Sequence, residues 1–362
     1  MPPDRRPDRQ QALRGALASE GLQGLLVTHL PNIRYLTGFS GSAGLLLVWA
    51  DATILVTDFR YAVQASSEAG AAATVEVDPT NVWERLGRIL AGLPRGALGI
   101  EAHALTVRDA ERVTGVSAHR IVPTLELVER LRVAKSPDEV AAIREAAELA
   151  QTALAGVLPG VKAGQTEQEV AAALEGALRR LGSEWHPFPT IVASGPRAAL
   201  PHARTTRRAI ETGDWLLLDF GAQVGGYCAD LTRMAVVGAR ADERQRALYE
   251  VVRSAQLRAR DHIRAGMTGR EADALARDVI TGRGLGDAFG HSLGHGLGLE
   301  VHEAPRLAPT SEIPLPLHAV VTVEPGIYLP GWGGIRIEDD IYLGPEGPVC
   351  LSDGRSELVE LT

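Results

Sequence analysis

Residues 161–169 read VKAGQTEQE and residues 263–271 read IRAGMTGRE, so one pattern occurs twice in this chain. Each copy has an apolar residue, a basic residue and Ala-Gly, followed by a threonine with a glutamate three positions later. A threonine and a glutamate at this spacing form a capping box, which predicts helices that begin after Thr166 and after Thr268. The second part of the chain is therefore predicted to consist of two similar halves.

Each half then carries two acidic residues inside apolar segments. Asp219 and Asp230 lie in the first half, and Glu324 and Glu338 lie in the second. The predicted strands that carry them are residues 215–221, 227–237, 320–324 and 335–343. Burying an unpaired carboxylate costs on the order of several kcal/mol, so we expect a cation to meet these acids.

A glycine-rich segment at residues 290–303 supplies three histidines, His291, His295 and His302. Glycine allows the backbone to approach a ligand closely. His202 lies in a separate predicted loop, and it is a candidate site residue only because these other residues are present. Four carboxylates and the imidazole of His295 form a mostly hard-oxygen ligand set, which predicts two adjacent divalent cations.

Ion pairs are the alternative interpretation of the buried acids, with Arg233 and Arg336 as the available partners. The repeated arrangement of four acids beside the histidine segment favours metal ions over ion pairs.

Composition excludes several classes of function. The 362 residues contain 37 Lys and Arg against 45 Asp and Glu, and this net charge of -8 argues against binding a nucleic-acid backbone. Two cysteines, Cys228 and Cys350, cannot form a disulfide framework, and Met1 to Arg6 begin no apolar signal sequence. No apolar run approaches the roughly 20 residues of a membrane span, so we expect a cytoplasmic location.

Two domains are expected from the length and from the pattern along the chain. Short apolar runs alternate with helical stretches in the first part, which is typical of an α/β domain with a buried sheet. A capping box at Ser136 opens a helix after a break near Pro123. We therefore predict an N-terminal domain of residues 1–128 and a C-terminal domain of residues 129–362, both of mixed α/β (α+β) class.

Several motifs of the second part resemble those of one enzyme family. They are LLDFG (217–221), YCADLTR (227–233), GHG (294–296), VHE (301–303), VEPGIY (323–328) and GIRIED (334–339). Together they resemble the "pita-bread" metallopeptidases and are most similar to the Xaa-Pro peptidases, aminopeptidase P and prolidase. Residues 35–42 and 57–61 resemble the creatinase-type N-terminal domain of these enzymes, which methionine aminopeptidases usually lack. The resemblance implies a pita-bread catalytic domain with an internal pseudo-twofold axis.

The resemblance also implies roles for individual residues. Asp219 and Asp230 would bind one metal ion, His295 and Glu324 the other, and Asp230 and Glu338 would bridge the two. Glu324 would also transfer the proton of the attacking water.

Further residues would surround these ligands. The implied catalytic and pocket residues are His202, His291, His302, Tyr328 and Arg336. His202 and His302 would stabilise the oxyanion and line the substrate pocket, and Tyr328 and Arg336 would form part of its wall.

The predicted function is hydrolysis of the bond between an N-terminal residue and a following proline, by a Xaa-Pro aminopeptidase. A Xaa-Pro dipeptidase (prolidase) is the alternative. Ligand hardness favours Mn²⁺, with Co²⁺, Fe²⁺ or Zn²⁺ able to substitute. A metal-free amidinohydrolase like creatinase and a non-catalytic peptide-binding scaffold are more remote, because all five ligand positions are retained. The resemblance implies a homodimer or higher homo-oligomer.

Overall fold

The computed structural model describes residues 4–352 and 354–362. The start of the chain at residues 1–3, where no apolar signal was predicted, lies outside the described residues. The chain divides into two compact units, Met1–Arg132 and Val133–Thr362. None of the described helices is long and apolar enough to cross a bilayer.

The first unit is built on a six-stranded mixed sheet. Its strands are β1 (Gly24–Val27), β2 (Leu45–Trp49), β3 (Thr53–Thr57), β4 (Thr74–Val77), β5 (Ala97–Glu101) and β6 (Arg120–Thr124). Its helices are α1 (Arg6–Ser19), α2 (Leu30–Thr37), α3 (Ala62–Ala69), α4 (Val82–Ala91), α5 (Val107–Val116) and α6 (Glu129–Arg132). The strand order is β4-β3-β2-β1-β5-β6, with β1 parallel to β5. Every residue of β1, β2 and β5 is buried, as expected for apolar runs in a sheet that is covered on both faces.

Residues 129–132 form α6, and this helix belongs to the first unit, although the sequence placed it in the second domain. Arg132 Nη1 donates a 2.7 Å hydrogen bond to Asn32 Oδ1 on α2. A partner about a hundred positions away is not visible in the sequence pattern around residue 129. The domain boundary between residues 128 and 129 stays a prediction.

The second unit contains the two halves expected from the repeat. Its helices are α7 (Pro137–Val157), α8 (Glu167–Leu181), α9 (Glu243–His262) and α10 (Gly269–Thr281). Thr166 and Thr268 each form a complete capping box at the start of α8 and α10. Each threonine also forms an isolated bridge with a later segment, Thr166 with Ala209 and Thr268 with Pro314. The sequence repeat is therefore also a structural repeat.

Two mainly antiparallel sheets form the centre of this unit, one for each half, and the last strand of the chain joins the sheet of the first half. The strands are β7 (Ile191–Ser194), β8 (Trp215–Phe220), β9 (Gln223–Val224), β10 (Tyr227–Cys228), β11 (Leu231–Val237), β12 (Gly294–Gly296), β13 (Glu303–Leu307), β14 (Val320–Val323), β15 (Gly326–Leu329), β16 (Gly333–Arg336), β17 (Asp339–Gly344), β18 (Gly347–Cys350) and β19 (Val359–Leu361). Their orders are β19-β11-β8-β7 and β13-β12-β14-β17-β18, where only β19 pairs in parallel with its neighbour. Two small hairpins, β9–β10 and β15–β16, stand beside them.

The two faces of β8 pack against different parts of the core. Leu216, Leu218 and Phe220 join a cluster that includes residues of α7 and α8, whereas Trp215 and Leu217 join one that includes residues of α9 and α10. This is the period-two alternation of a strand that is buried on both faces.

Candidate metal centre

The four predicted acids occupy corresponding places in the two halves. Asp219 lies near the end of β8, and Asp230 directly precedes β11. Glu324 directly follows β14, and Glu338 directly precedes β17. The predicted strands 227–237 and 335–343 are thus each interrupted at the acid.

Thr232 joins the two pairs of acids. It is opposite Asp219 in the pairing of β11 with β8. The Glu338 backbone N–H donates to the Thr232 carbonyl at 3.3 Å, and Thr232 Oγ1 donates to Glu338 Oε2 at 2.6 Å. Glu338, which belongs to the second half, is therefore held against β11 of the first half.

His295 lies on β12 with its ring directed at two of the acids. Its Nδ1 lies 3.0 Å from the Gly296 carbonyl oxygen, which can only accept, so Nδ1 carries the proton and donates. Its Nε2 then presents a lone pair 3.4 Å from Glu324 Oε1 and 3.9 Å from Asp230 Oδ2. Ligand atoms of Asp230, His295 and Glu338 all lie within 4.8 Å of one another. The lone pair of His295 and the oxygens of these acids therefore lie around one small space.

Burial and mutual repulsion disfavour the charged forms of these carboxylates. Burial is the largest cause that raises the pKa of Asp230 and of Glu324, and the neighbouring Glu338 raises both further. Burial and the charge of Asp219 likewise raise the pKa of Glu338. Burial also lowers the pKa of His295 to about 4, so its ring is neutral near pH 7. Asp230, Glu324, Glu338 and the neutral His295 thus bring no positive charge to the cluster.

The ion-pair alternative accounts for one of the four acids. Arg336 Nη2 donates to Asp219 Oδ2 at 2.5 Å, and the other three acids form no ion pair with a lysine or arginine in the described part of the chain. Arg233 Nη2 pairs instead with Asp339 Oδ1, at 2.7 Å. Burial raises the pKa of Asp219 even though Arg336 opposes this shift.

A chain of hydrogen bonds extends from Arg336 through the predicted pocket wall. Arg336 Nη1 donates to the Tyr328 hydroxyl at 2.8 Å, and this hydroxyl lies 2.9 Å from His291 Nε2. His291 Nδ1 donates to the carbonyl of Ser292 at 2.8 Å, so Nε2 accepts from Tyr328. Burial lowers the pKa of His291 to about 4, in keeping with this neutral tautomer.

His302 and His202 lie beside the same cluster. The rings of His302 and His295 meet edge to face, with centroids 4.4 Å apart. His202 is close enough to Asp219 to favour its charged form. The preceding Pro201 offers its carbonyl to Arg336 Nη1 at 3.2 Å. The structure therefore gathers all of the predicted site residues in one region of the second unit.

Sequence reasoning did not identify Thr232, Thr322 and Asp340, which orient the predicted ligands. Thr322 Oγ1 accepts from the His295 backbone N–H at 3.1 Å, and Asp340 Oδ2 accepts from the Asp230 N–H at 3.1 Å. The spacing of Thr232, two positions after Asp230, was an available signal, because alternate strand residues share a face.

The donor set fits divalent cations. A histidine that binds a metal ion commonly donates its other ring N–H to a backbone carbonyl, as His295 does here. Burial disfavours the ionised form of these carboxylates, and a cation that binds between them and the imidazole lone pair would stabilise that form.

The stability of the metal-free protein is expected to fall as the pH rises from about 6.5 to about 8. The pKa values of His291 and His295 are lowered to about 4, so these histidines bind fewer protons folded than unfolded, and this opposing contribution fades as the unfolded imidazoles lose their protons above about pH 6.5. Glu338, with its pKa raised to about 8, binds more protons when folded, so the free energy of unfolding decreases with pH in this window.

Melting temperatures measured over this pH range, with chelator and then with excess Mn²⁺, check the expectation. Bound Mn²⁺ should abolish the decline in melting temperature, because it stabilises the buried carboxylates in place of the protons. A metal-free melting temperature that stays constant or rises over this range would contradict it.

Comparisons with known proteins agree with this geometry. Residues 141–345 match Metallopeptidase family M24, and residues 9–134 match the Creatinase/Prolidase N-terminal domain. A Xaa-Pro dipeptidase of Pyrococcus horikoshii is 35% identical over 93% of this chain and 95% of its own length.

Two solved structures cover nearly the whole chain. A Xaa-Pro dipeptidase from Bacillus anthracis has a TM-score of 0.94 and 40% identity, over 98% of this chain and 100% of that one. An X-Pro aminopeptidase from Thermotoga maritima MSB8 has a TM-score of 0.90 and 34% identity, over 98% of this chain and 100% of that one. The predicted pita-bread fold is confirmed. The chain therefore belongs to metallopeptidase family M24, whose members are hydrolases that use divalent metal ions.

Proposed function

We propose that this protein is a Xaa-Pro dipeptidase, which hydrolyses dipeptides with proline in the second position. Relatives named as Xaa-Pro dipeptidases, similar over almost the full chain, support this proposal. These relatives favour the dipeptidase, which was the alternative prediction from the sequence, over the aminopeptidase, which was the preferred prediction. The aminopeptidase remains a second candidate because of the similarity to the Thermotoga maritima structure.

The observation that carries the metal-dependent chemistry is the orientation of His295, whose Nε2 lone pair faces Glu324 and Asp230. Asp219 and Asp230 would hold one divalent cation, His295 and Glu324 the other, and Asp230 and Glu338 would serve both. Oxygen-rich donor sets of this kind favour Mn²⁺. When bound, such cations lower the pKa of water and accept the free amino group of a peptide.

Arg336 has to be accommodated in this assignment, because its guanidinium already pairs with Asp219 Oδ2. A carboxylate has a second oxygen and several lone pairs, so one oxygen can bind a cation while the other accepts from arginine. Arg336 also donates to Thr232 Oγ1 at 3.0 Å. It would therefore orient Asp219 as a ligand and partly neutralise the excess of carboxylates.

Glu324 is the proposed proton carrier. Burial and the charge of Glu338 raise the pKa of Glu324, so the protonated form is favoured in the metal-free protein. With cations bound the carboxylate would be ionised, and it would take a proton from water and later deliver it. The acceptor of that proton would be the proline nitrogen, which must be protonated as the peptide bond breaks. Thr322 Oγ1 lies 3.4 Å from Glu324 Oε1 and helps to orient the carboxylate.

His302 and His202 are the proposed donors to the carbonyl oxygen of the substrate. Burial lowers the pKa of His302, so the ring is neutral near pH 7 and retains one N–H to donate. A donor aimed at developing negative charge stabilises the transition state more than the ground state.

Matched peptides test the substrate class. Release of the N-terminal alanine from Ala-Pro, Ala-Pro-Ala and Ala-Ala is measured with the Mn²⁺-loaded protein. The proposal predicts hydrolysis of Ala-Pro alone. Hydrolysis of Ala-Pro-Ala at a comparable or higher kcat/KM would instead establish the aminopeptidase, and hydrolysis of Ala-Ala at a rate near that of Ala-Pro would remove the requirement for proline.

The predicted homo-oligomer is also a proposal, and sedimentation equilibrium of the full chain measures it directly. A mass equal to a single 38.5 kDa chain at micromolar concentration would contradict it.

A further inference from the structure

A second group of metal-ligand side chains lies in the first unit. It consists of His29, His103 and Glu129, and we call it the N-terminal His-Glu cluster. His29 lies two residues after the end of β1, and His103 lies two residues after the end of β5. Because β1 and β5 are parallel neighbours, their carboxyl ends meet at one edge of the sheet. The topology thus brings the two histidines together although 74 positions separate them in the sequence.

The three side chains are within reach of a single ion. One ligand atom of each lies within 4.8 Å of the others. The rings of His29 and His103 meet edge to face with centroids 5.4 Å apart, and His103 Nε2 lies 2.9 Å from Glu129 Oε1. The side chains of His103 and Glu129 are 33% and 21% exposed, so a hydrated ion has access from solvent.

Surrounding hydrogen bonds hold the cluster in place. Glu101 Oε2 accepts from the backbone N–H groups of Thr28 at 2.6 Å and His29 at 2.8 Å. Asn32 Nδ2 donates both to Glu101 Oε1, at 2.7 Å, and to Glu129 Oε1. The loop that carries His29 and the carboxylate of Glu129 are therefore fixed through shared partners, and pre-ordered ligands lose less entropy on binding.

Glu129 has an acceptor that the protein does not use. Its Oε2 is buried and has no hydrogen-bond partner in the described part of the chain. Buried polar atoms are normally satisfied, and an exception calls for an explanation such as an ion.

A hydrogen bond between His103 and Glu129 is the simpler interpretation of the cluster. It accounts for that one contact but leaves Glu129 Oε2 without a hydrogen-bond partner among the described residues. Two imidazoles and one carboxylate form a common three-ligand set for Zn²⁺, with water in the fourth position.

We propose that His29, His103 and Glu129 form a Zn²⁺-binding site separate from the centre in the second unit. The ion would link three segments that are distant in sequence: the loop after β1, the loop after β5, and α6. Binding to the folded state alone raises its stability, so zinc should stabilise the first unit.

Zinc counting on the full-length protein tests this proposal. Chelator-stripped protein is loaded with excess Zn²⁺ and desalted. The number of zinc ions per chain is then measured by inductively coupled plasma mass spectrometry. His103→Ala should hold about one zinc ion fewer than the parent. His262→Ala removes an exposed histidine on α9 and should match the parent, which controls for loss of an imidazole elsewhere.

Glu129→Gln is the second variant, used in case His103→Ala does not fold, because it keeps the shape of the side chain and removes its charge. Zinc should raise the melting temperature of the parent by several degrees more than that of either variant. Equal zinc content in the parent and in a folded variant, with equal thermal shifts, would overturn the proposal. Neither readout depends on peptidase activity, so failure of the proposed function would not affect the result.

Discussion

His295→Ala and Asp230→Asn are each expected to abolish metal retention and to lower kcat/KM for Ala-Pro by more than about a thousandfold. His295 supplies the only imidazole proposed as a ligand of the centre in the second unit, and Asp230 is proposed to serve both ions of that centre. The electrostatic contribution of bound cations amounts to several kcal/mol, and each 1.36 kcal/mol is tenfold in rate. Metal content after desalting and steady-state kinetics on the same samples measure both effects.

His262→Ala is the matched control for these variants, since its Nδ1 bonds only to the carbonyl of Arg258 on its own helix among the described residues. It should keep both metal and activity. The assignment would be contradicted if His295→Ala retained two metal ions per chain and turned over at the parental rate. Circular dichroism on each variant separates the loss of metal from the loss of fold.

His302→Ala is expected to keep its metal while kcat falls by about 10²- to 10³-fold, the usual effect of removing one donor to an oxyanion. The ring of His302 packs edge to face on that of His295 and carries no proposed ligand role. Because the lost interaction forms mainly in the transition state, kcat should fall much more than KM changes.

His302→Gln provides the companion measurement, because an amide N–H can partly replace the imidazole N–H. Its activity should lie between those of His302→Ala and the parent. Full activity in His302→Ala would remove the residue from the mechanism, and loss of metal in that variant would make it a ligand or a support of His295.

The sequence was sufficient to predict which side chains gather in the second unit. The repeat at Thr166 and Thr268 predicted two halves, and apolar runs ending in an acid predicted where the carboxylates would be buried. Asp219, Asp230, His295, Glu324 and Glu338 lie together because corresponding strands of the two halves meet at Thr232. Their roles as ligands remain proposals.

The contacts that orient these side chains could not be predicted from the sequence. Thr232 and Glu338 are 106 positions apart, as are Arg233 and Asp339, and local periodicity contains no information about such pairs. The breaks in the strands at Asp230 and Glu338 were missed for a related reason. Each acid stands in a segment that reads as one strand in the sequence, whereas the structure interrupts the strand at that acid.

The substrate class was the weakest part of the sequence prediction for a physical reason. The motifs at residues 217–221, 294–296 and 334–339 carry proposed ligands and their neighbours, which would act on the same bond in a dipeptide and in a longer peptide. The distinction between them depends on the space beyond the proline, and no pattern in the sequence reports that space directly.

Hydrolysis of Ala-Pro before and after removal of metal is the most direct test of the central claim. The full-length protein is treated with EDTA, its metal content is measured, and proline release is followed before and after Mn²⁺ is restored. Hydrolysis is expected to disappear when less than about 0.1 metal ion per chain remains and to return with Mn²⁺. Hydrolysis that persists at the original rate in the stripped protein would show that the reaction needs no metal and would exclude the proposed metal-dependent mechanism.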